Sequence, residues 1–336
     1  MEGRAMPKPR EHQISLDATP YYHCVSRCVR RAFLCGVDSV SGESYEHRRG
    51  WLEAKLLELP QIFAIQIAAY AIMSNHYHVV LHVDAVSAKV WTDEEVVLRW
   101  HQLFKGNLLS QKYIRKDPLS APELARLQIY VTEWRKRLID ISWFMRVLNE
   151  AIAREANAED GCTGRFWEGR FKSQALLDEA ALAACMAYVD LNPVRAKMAE
   201  TPEESEFTSV KQRAEKAREA SVPNHKNQQA KLLMPFAGNP RENMEYGIPM
   251  RLTDYLELVD WSGRILREDK RGAISPSTDA ILTRLGIDED KWLTMTQGFE
   301  DCFTTLAGSE GSLRRACKKM RYQRPAGLRR CRAAIG

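Results

Sequence analysis

The segment Met73-Ser74-Asn75-His76-Tyr77-His78-Val79-Val80-Leu81 sets two histidines one residue apart. Successive side chains of a strand point to opposite faces, so on a strand His76 and His78 share one face and Tyr77 takes the other. Two imidazoles held side by side on rigid backbone can bind one divalent metal ion and leave its other positions open. Ordinary surface histidines would show the same spacing, so the pair needs a second group to give it meaning. That group lies further along the chain, in Ala184-Cys185-Met186-Ala187-Tyr188-Val189-Asp190-Leu191-Asn192-Pro193-Val194-Arg195-Ala196. On a helix, Tyr188 and Asn192 sit one above the other on a single face. A phenol hydroxyl and an amide oxygen would then face whatever that helix packs against. A half-buried aromatic and a C-terminal cap are the plainer alternative.

The elements that must position these groups can be read around them. The apolar, β-prone run Ile62 to Tyr70 and the segment His76 to Val83 form two strands joined by a turn at Ser74-Asn75. Tyr21 to Arg31 reads as an earlier strand, followed by a helix within residues 42–59. Gly164 to Gln174, where aromatic and basic residues alternate around Gly169, reads as a fourth strand. Asp178-Glu179 opens the tyrosine-bearing helix, acids in the first turn favouring a helix start, and Pro193 ends it near Asn192. Further helices start near Thr92-Asp93-Glu94-Glu95 and lie within Ile139 to Ala158. Residues 109–135 read as a polar, basic insertion, set either over a binding site or simply at the surface. The expected fold class is α+β, a ferredoxin-like antiparallel sheet with helices packed on one side.

Three separated motifs, Tyr70 through His78, Gly164 through Ser173 and Tyr188 through Ala196, resemble the single-tyrosine HUH transposases. Within that group the chain most resembles the REP-associated tyrosine transposases, over about residues 15–210. The resemblance implies an HUH-type sheet with His76 and His78 as metal ligands, Tyr188 as nucleophile and Asn192 as a polar metal ligand. Tyr77 stands where the family usually has a hydrophobic residue, and it must bury a hydroxyl that needs a partner. The implied metal is Mg²⁺ or Mn²⁺, bound to a non-bridging oxygen of the scissile phosphate. Tyr188 would displace the 3′ oxygen and leave a 5′-phosphotyrosine and a free 3′ hydroxyl, which can later rejoin the strand without ATP. The implied substrates are single-stranded DNA hairpins formed by palindromic repeats, handled by a monomer or a homodimer. A non-cutting, hairpin-binding regulator and a relaxase- or Rep-like nickase are the alternatives. His82, on the same strand face, could be a spare ligand, a phosphate contact or a solvated residue.

Charge adds a footprint of its own. The net charge of the 336 residues is only +5, yet residues 313–336 carry nine Arg or Lys and no acid, so the remainder is net acidic. A basic end of this kind suits a phosphate backbone, or it is a solvated helix face. Leu313, Ala316, Cys317 and Met320 recur at helical spacing among the charges, which favours a packed helix over a loose tail. Candidate DNA contacts are Arg27, Arg30 and Arg31 on the first strand, Arg165, Arg170 and Lys172 on the fourth, and Arg314, Arg315, Lys318, Lys319 and Arg321 near the end. Trp167 and Phe171 could stack on unpaired bases or fill the sheet core. Eight cysteines in a chain of this length do not suggest a disulfide scaffold, so reduced thiols are expected. No run is apolar enough for a membrane helix and no secretory signal opens the chain, so a cytoplasmic protein without a membrane partner is expected. The expected organisation is a catalytic domain over 1–210, a charged helix and linker over 211–245, and a helical C-terminal domain with a DNA-binding role over 246–336.

Overall fold

The computed structural model describes residues 13–29, 34–37, 42–238, 246–267, 276–320, 322 and 327–335. Among them, five strands form one sheet: β1 Tyr21–Arg27, β2 Ile65–Ile72, β3 His76–Val83, β4 Lys172–Leu176 and β5 Leu306–Ala307. Their order is β2-β3-β1-β4-β5. The first four pair antiparallel, but β5 runs parallel to β4, so the sheet is mixed where a purely antiparallel one was expected. Residues after 246 therefore supply a strand to the same sheet that carries the histidines.

The helices run in chain order as α1 His47–Glu58, α2 Ala85–Val90, α3 Asp93–Leu103, α4 Leu108–Ile114, α5 Ala121–Arg137, α6 Ile141–Glu159 and α7 Glu179–Asp190. There follow α8 Asn192–Arg195, α9 Ser209–Glu219, α10 Leu252–Leu266, α11 Pro276–Leu285, α12 Glu289–Cys302, α13 Glu310–Lys319 and α14 Leu328–Ala334. Local chemistry explains several starts. Thr92 and Glu95 close a capping box on α3, and Asp140 and Asp178 cap α6 and α7 through their side chains. No helix among the described residues is long and apolar enough to cross a membrane.

Helices cover both faces of the sheet, which corrects the expectation of one. The register pairs Arg27 with His76, Val25 with His78, His23 with Val80 and Tyr21 with His82, so the histidines line one face. The opposite face carries Tyr22, Cys24, Tyr77, Val79 and Leu81, all buried. Apolar side chains on both faces leave neither able to meet water, so each face needs a cover. On the Tyr77 face α6 supplies it: Asn149 accepts from the Tyr77 hydroxyl at 2.8 Å and donates to Ser26 Oγ at 3.0 Å. There α1 also packs, with Tyr70 Oη donating to Glu53 at 2.6 Å. On the histidine face lies α7, buried on every side from Ala180 to Asp190 because α12 packs against its outer surface.

The fourth strand is shorter and later than the alternating pattern suggested. Residues 166–168 pair irregularly with the end of β1 and the residues just after it, through Glu168 N to Arg27 O and Val29 N to Phe166 O. The chain then bends at Gly169-Arg170 before β4 begins at Lys172. Trp167 and Phe171 are core residues: Trp167 is buried edge-on to Tyr77 and donates from Nε1 to Asn149 O. Residues 109–135 fold largely as α4 and α5, locked to α3 by the stacked rings of Trp100 and Trp134. All eight cysteines are free thiols.

Candidate functional site

The site grows from strand parity. His76 and His78 on β3 stand on one face with ring centroids 4.9 Å apart. Across the β1–β3 pairing stands His23, whose Nε2 lies 2.9 Å from His78 Nδ1, with the two rings stacked at 5.2 Å. One strand further, Gln174 Oε1 sits 2.8 Å from His23 Nδ1. Above them α7 lowers Tyr188 onto the imidazoles. Its ring is edge-on to His78 at 5.7 Å and to His23 at 6.2 Å.

Tyr188 is clamped from its other sides. The Arg195 guanidinium lies 4.1 Å over the Tyr188 ring, and Phe299 on α12 tilts against it at 6.1 Å. Arg195 Nη1 donates to the backbone oxygens of Tyr188 at 2.7 Å and Thr296 at 2.8 Å, so α7 and α12 together hold the guanidinium in place. Regular helical geometry in α12 breaks at Gly298, immediately before Phe299 and Glu300. Gln174 Nε2 donates to Phe303 O and Thr304 O just past the end of α12.

Burial and charge set the protonation states. Desolvation pushes Tyr188 up to about 12, with Arg195 opposing the rise, so the phenol is protonated at neutral pH. Burial holds His76 down at about 4, helped by the positive charges of Arg27, Arg195 and Lys172. Desolvation likewise lowers His23 and His78, so all three imidazoles are neutral. Desolvation also lowers Arg195, to about 10, which still leaves it a cation.

Neutral imidazoles are what a metal requires, and the donor set can be tested atom by atom. His76 Nδ1 is 2.6 Å from Asn75 Oδ1, an oxygen that only accepts, so His76 carries its proton on Nδ1 and keeps a lone pair on Nε2. His78 likewise has Nδ1 engaged, by His23. Both Nε2 atoms are thus the nitrogens left for a ligand, an arrangement typical of metal-binding histidines. Among the described residues no three His, Cys, Asp or Glu side chains gather into a metal-holding group, so any further protein donor is of another type. Asn192 is such a residue. It is buried at the first position of α8, one turn beyond Tyr188, and no hydrogen bond joins it to either imidazole among the described residues. Two neutral imidazoles and an amide oxygen are donor types that suit a divalent ion preferring nitrogen and oxygen ligands.

Of the basic candidates, Arg27 and Lys172 are exposed and near enough to His76 to shift it, so they rim the site. Arg165 and Arg170 are exposed in the segment before β4. A cavity of about 660 Å³ beside Gln174 is lined by Arg170, Lys172, Glu300, Asp301 and Arg330 among others. A larger one, about 950 Å³, lies around Trp100, Trp134 and Tyr130 and contains none of the site's groups. On α13, Leu313, Ala316 and Cys317 are buried while Arg314, Arg315, Lys318 and Lys319 are exposed. Part of that charge is already engaged: Arg314 and Arg332 pair with Glu310, and Lys319 Nζ donates to Asp17 O. Arg30, Arg31 and Arg321 lie outside the described residues. His82 is no part of the site, since its ring is buried against Tyr21 and its Nδ1 bonds the Tyr246 hydroxyl at 2.9 Å.

Sequence reasoning missed His23, Gln174, Arg195 and Phe299. His23 and Gln174 share the parity of the site face on their strands, but only the pairing of β1 with β3 and β4 gives that parity meaning. Arg195 stood in plain view, three residues beyond Asn192, with no local pattern to mark it.

No protein-family model matches the chain, and no curated protein matches it. A search of solved structures returns a REP-associated tyrosine transposase bound to a REP hairpin, at 11% identity over 68% of this chain and 90% of that one. The superposition is loose, with a TM-score of 0.34, so function here rests on the chain's own geometry.

Proposed function

We propose that this protein is a metal-dependent single-stranded DNA endonuclease and strand transferase that works through a tyrosine. The observation that carries the reading is the seating of Tyr188 against His78, beside His76, with both imidazoles neutral and, among the described residues, their hydrogen bonds made through Nδ1. His76 and His78, with Asn192 as the amide donor, would hold Mg²⁺ or Mn²⁺, which when bound supplies charge neutralisation at the scissile phosphate. Arg27 and Lys172 at the rim would hold the phosphodiester by its flanking charge.

Tyr188 then acts as the nucleophile. A phenol held up near 12 is a weak nucleophile in the resting site, and it becomes effective only as its proton leaves. Its oxygen forms the new bond to phosphorus as the bond to the 3′ oxygen breaks. In the net balance the departing 3′ oxygen gains the proton the phenol loses. The products are a 5′-phosphotyrosine and a free 3′ hydroxyl, and attack by a 3′ hydroxyl on that link reverses the exchange. Arg195 stabilises negative charge on the phenol oxygen as it develops, being fixed over the ring by two backbone carbonyls. The motif resemblance makes hairpins of palindromic repeats the preferred substrate, with exposed charge on α13 as a further backbone contact.

The test is a covalent-adduct assay with a labelled single-stranded hairpin, Mn²⁺ or Mg²⁺, and the Tyr188→Phe variant. The expected result is a protein-linked DNA band that needs both metal and Tyr188. Cleavage that survives Tyr188→Phe would replace the tyrosine mechanism by activated water. Tight binding without any adduct would leave a hairpin-binding regulator.

A further inference from the structure

A chain of hydrogen bonds runs from the backbone after α12 into the imidazole of His78, and its direction is forced at every link. Gln174 presents one end of its amide to Phe303 O at 3.2 Å and Thr304 O at 2.7 Å. Carbonyl oxygens only accept, so the NH₂ end must face them and Oε1 must face His23. The reversed amide would set an oxygen against two others, and network consistency is how such an amide is oriented. Oε1 also only accepts, so the His23 nitrogen 2.8 Å away, Nδ1, carries a proton. A neutral imidazole bears one proton, which leaves His23 Nε2 as an acceptor. Its partner at 2.9 Å is His78 Nδ1, which must therefore donate. The only nitrogen of His78 with a lone pair is then Nε2.

We propose that His23 and Gln174 are positioning residues that lock His78 in its Nδ1–H tautomer, and that the backbone at residues 303–304 decides this by orienting the Gln174 amide. This rests on the reading of His78 as a metal-binding imidazole, because a ligand must offer a lone pair and the other tautomer would present a proton there. His23 is thus no third ligand: both its nitrogens are occupied within the protein. The stacking of the two rings, 8° from coplanar, keeps the relay aligned and orients the His78 ring. A segment more than a hundred residues distant in sequence thereby conditions the site without touching a ligand, since Gln174 and Thr304 are 130 apart.

The test reads protonation directly. Long-range ¹⁵N–¹H NMR on the full chain labelled at histidine assigns the protonated nitrogen of His23 and His78 without any substitution. Both are expected to carry the proton on Nδ1, and a wild-type His78 protonated on Nε2 would overturn the relay. In Gln174→Leu, His78 is expected to populate both tautomers and Mn²⁺ affinity, followed by the EPR signal of the free ion, to weaken about 10- to 100-fold. Gln174→Glu keeps an acceptor for His23 but sets a carboxylate oxygen against Phe303 O and Thr304 O, so it should not recover the wild-type tautomer and affinity, and full recovery would remove the backbone at residues 303–304 from the relay. Unchanged tautomer and Mn²⁺ affinity in Gln174→Leu would sink the relay and leave the metal site standing. A wild-type protein with the assigned tautomers that binds no Mn²⁺ would sink the metal reading and leave the relay standing.

Discussion

At the scale of single residues, the site is three neutral imidazoles, one phenol and one guanidinium packed in a place that disfavours charge. Arg195 is the member whose removal is most informative. Its cation lies on the Tyr188 ring and opposes the desolvation that raises the phenol. Arg195→Gln should therefore raise the phenol further above about 12, seen in a tyrosinate absorbance titration, and slow adduct formation by at least about tenfold. An unchanged adduct rate would remove Arg195 from the chemistry. Outside the site, His82 makes a testable pH signature. Burial lowers it from 6.5 to about 4, so between those values the unfolded chain binds more protons than the folded one. Its contribution is thus fully present above about pH 6.5 and is lost as pH falls toward 4. His82→Gln should flatten the acid side of the stability profile in that window by up to about 3 kcal/mol, because each pH step of one between the two values is worth about 1.36 kcal/mol. Denaturant midpoints with equal pH slopes in the two proteins would refute it. Asp190 acts in the opposite sense. Its carboxyl, raised to about 6 by burial, contributes most below the unfolded value of 3.8 and loses that contribution as pH rises through 6.

At the scale of elements, α7 is the part that must not move, and it is tied at both ends. Asp190, its last residue, accepts from Ser209 Oγ, Val210 N and the Tyr255 hydroxyl, which joins α7 to α9 and α10. At the other end Asp178 accepts from Ala181 N at 3.0 Å as the helix cap and from Ser309 N at 2.7 Å. Gly308 makes that approach possible: with φ at +157°, a Cβ there would come within 3.0 Å of Asp178 and Leu177. One carboxylate thus caps the tyrosine helix and anchors the chain after β5. Asp178→Ala should lower stability by about 1–3 kcal/mol, since a cap and a second partly buried donor are both released. Asp178→Asn should fall between, because it keeps the cap acceptor but turns an NH₂ toward Ser309 N. Urea midpoints that place the asparagine variant below the alanine one would contradict this assignment.

At the scale of the whole molecule, the C-terminal segment completes the site. It contributes β5 to the sheet, Phe299 to the tyrosine and two carbonyls to the Gln174 amide. Its basic helix also carries the footprint expected of a phosphate binder, with Arg315 and Lys318 exposed on α13. Replacing both by alanine should weaken hairpin binding and reduce the slope of log K against log salt by roughly 0.7 for each phosphate no longer neutralised. A drop in affinity with an unchanged slope would mean that these side chains touch something other than phosphate.

What the sequence determined by itself was local. The His76–Val83 strand came out with its observed bounds, because a period of two and a flanking turn mark a strand without reference to anything else. The capped α3, the acid-led α7 and the packed α13 were legible for the same reason: cap chemistry and apolar spacing act within a few residues. Tertiary structure decided everything that depends on which strands are neighbours. His23 meets His78 across 55 residues, Gln174 meets His23 across 151, and Arg195 meets Thr296 across 101. Pairing register and helix docking set those meetings through non-local burial, and no local spacing encodes them. The covered second face and the parallel fifth strand escaped the sequence in the same way. The candidate groups could be named from the sequence, but the contacts that set their protonation could be read only from the fold.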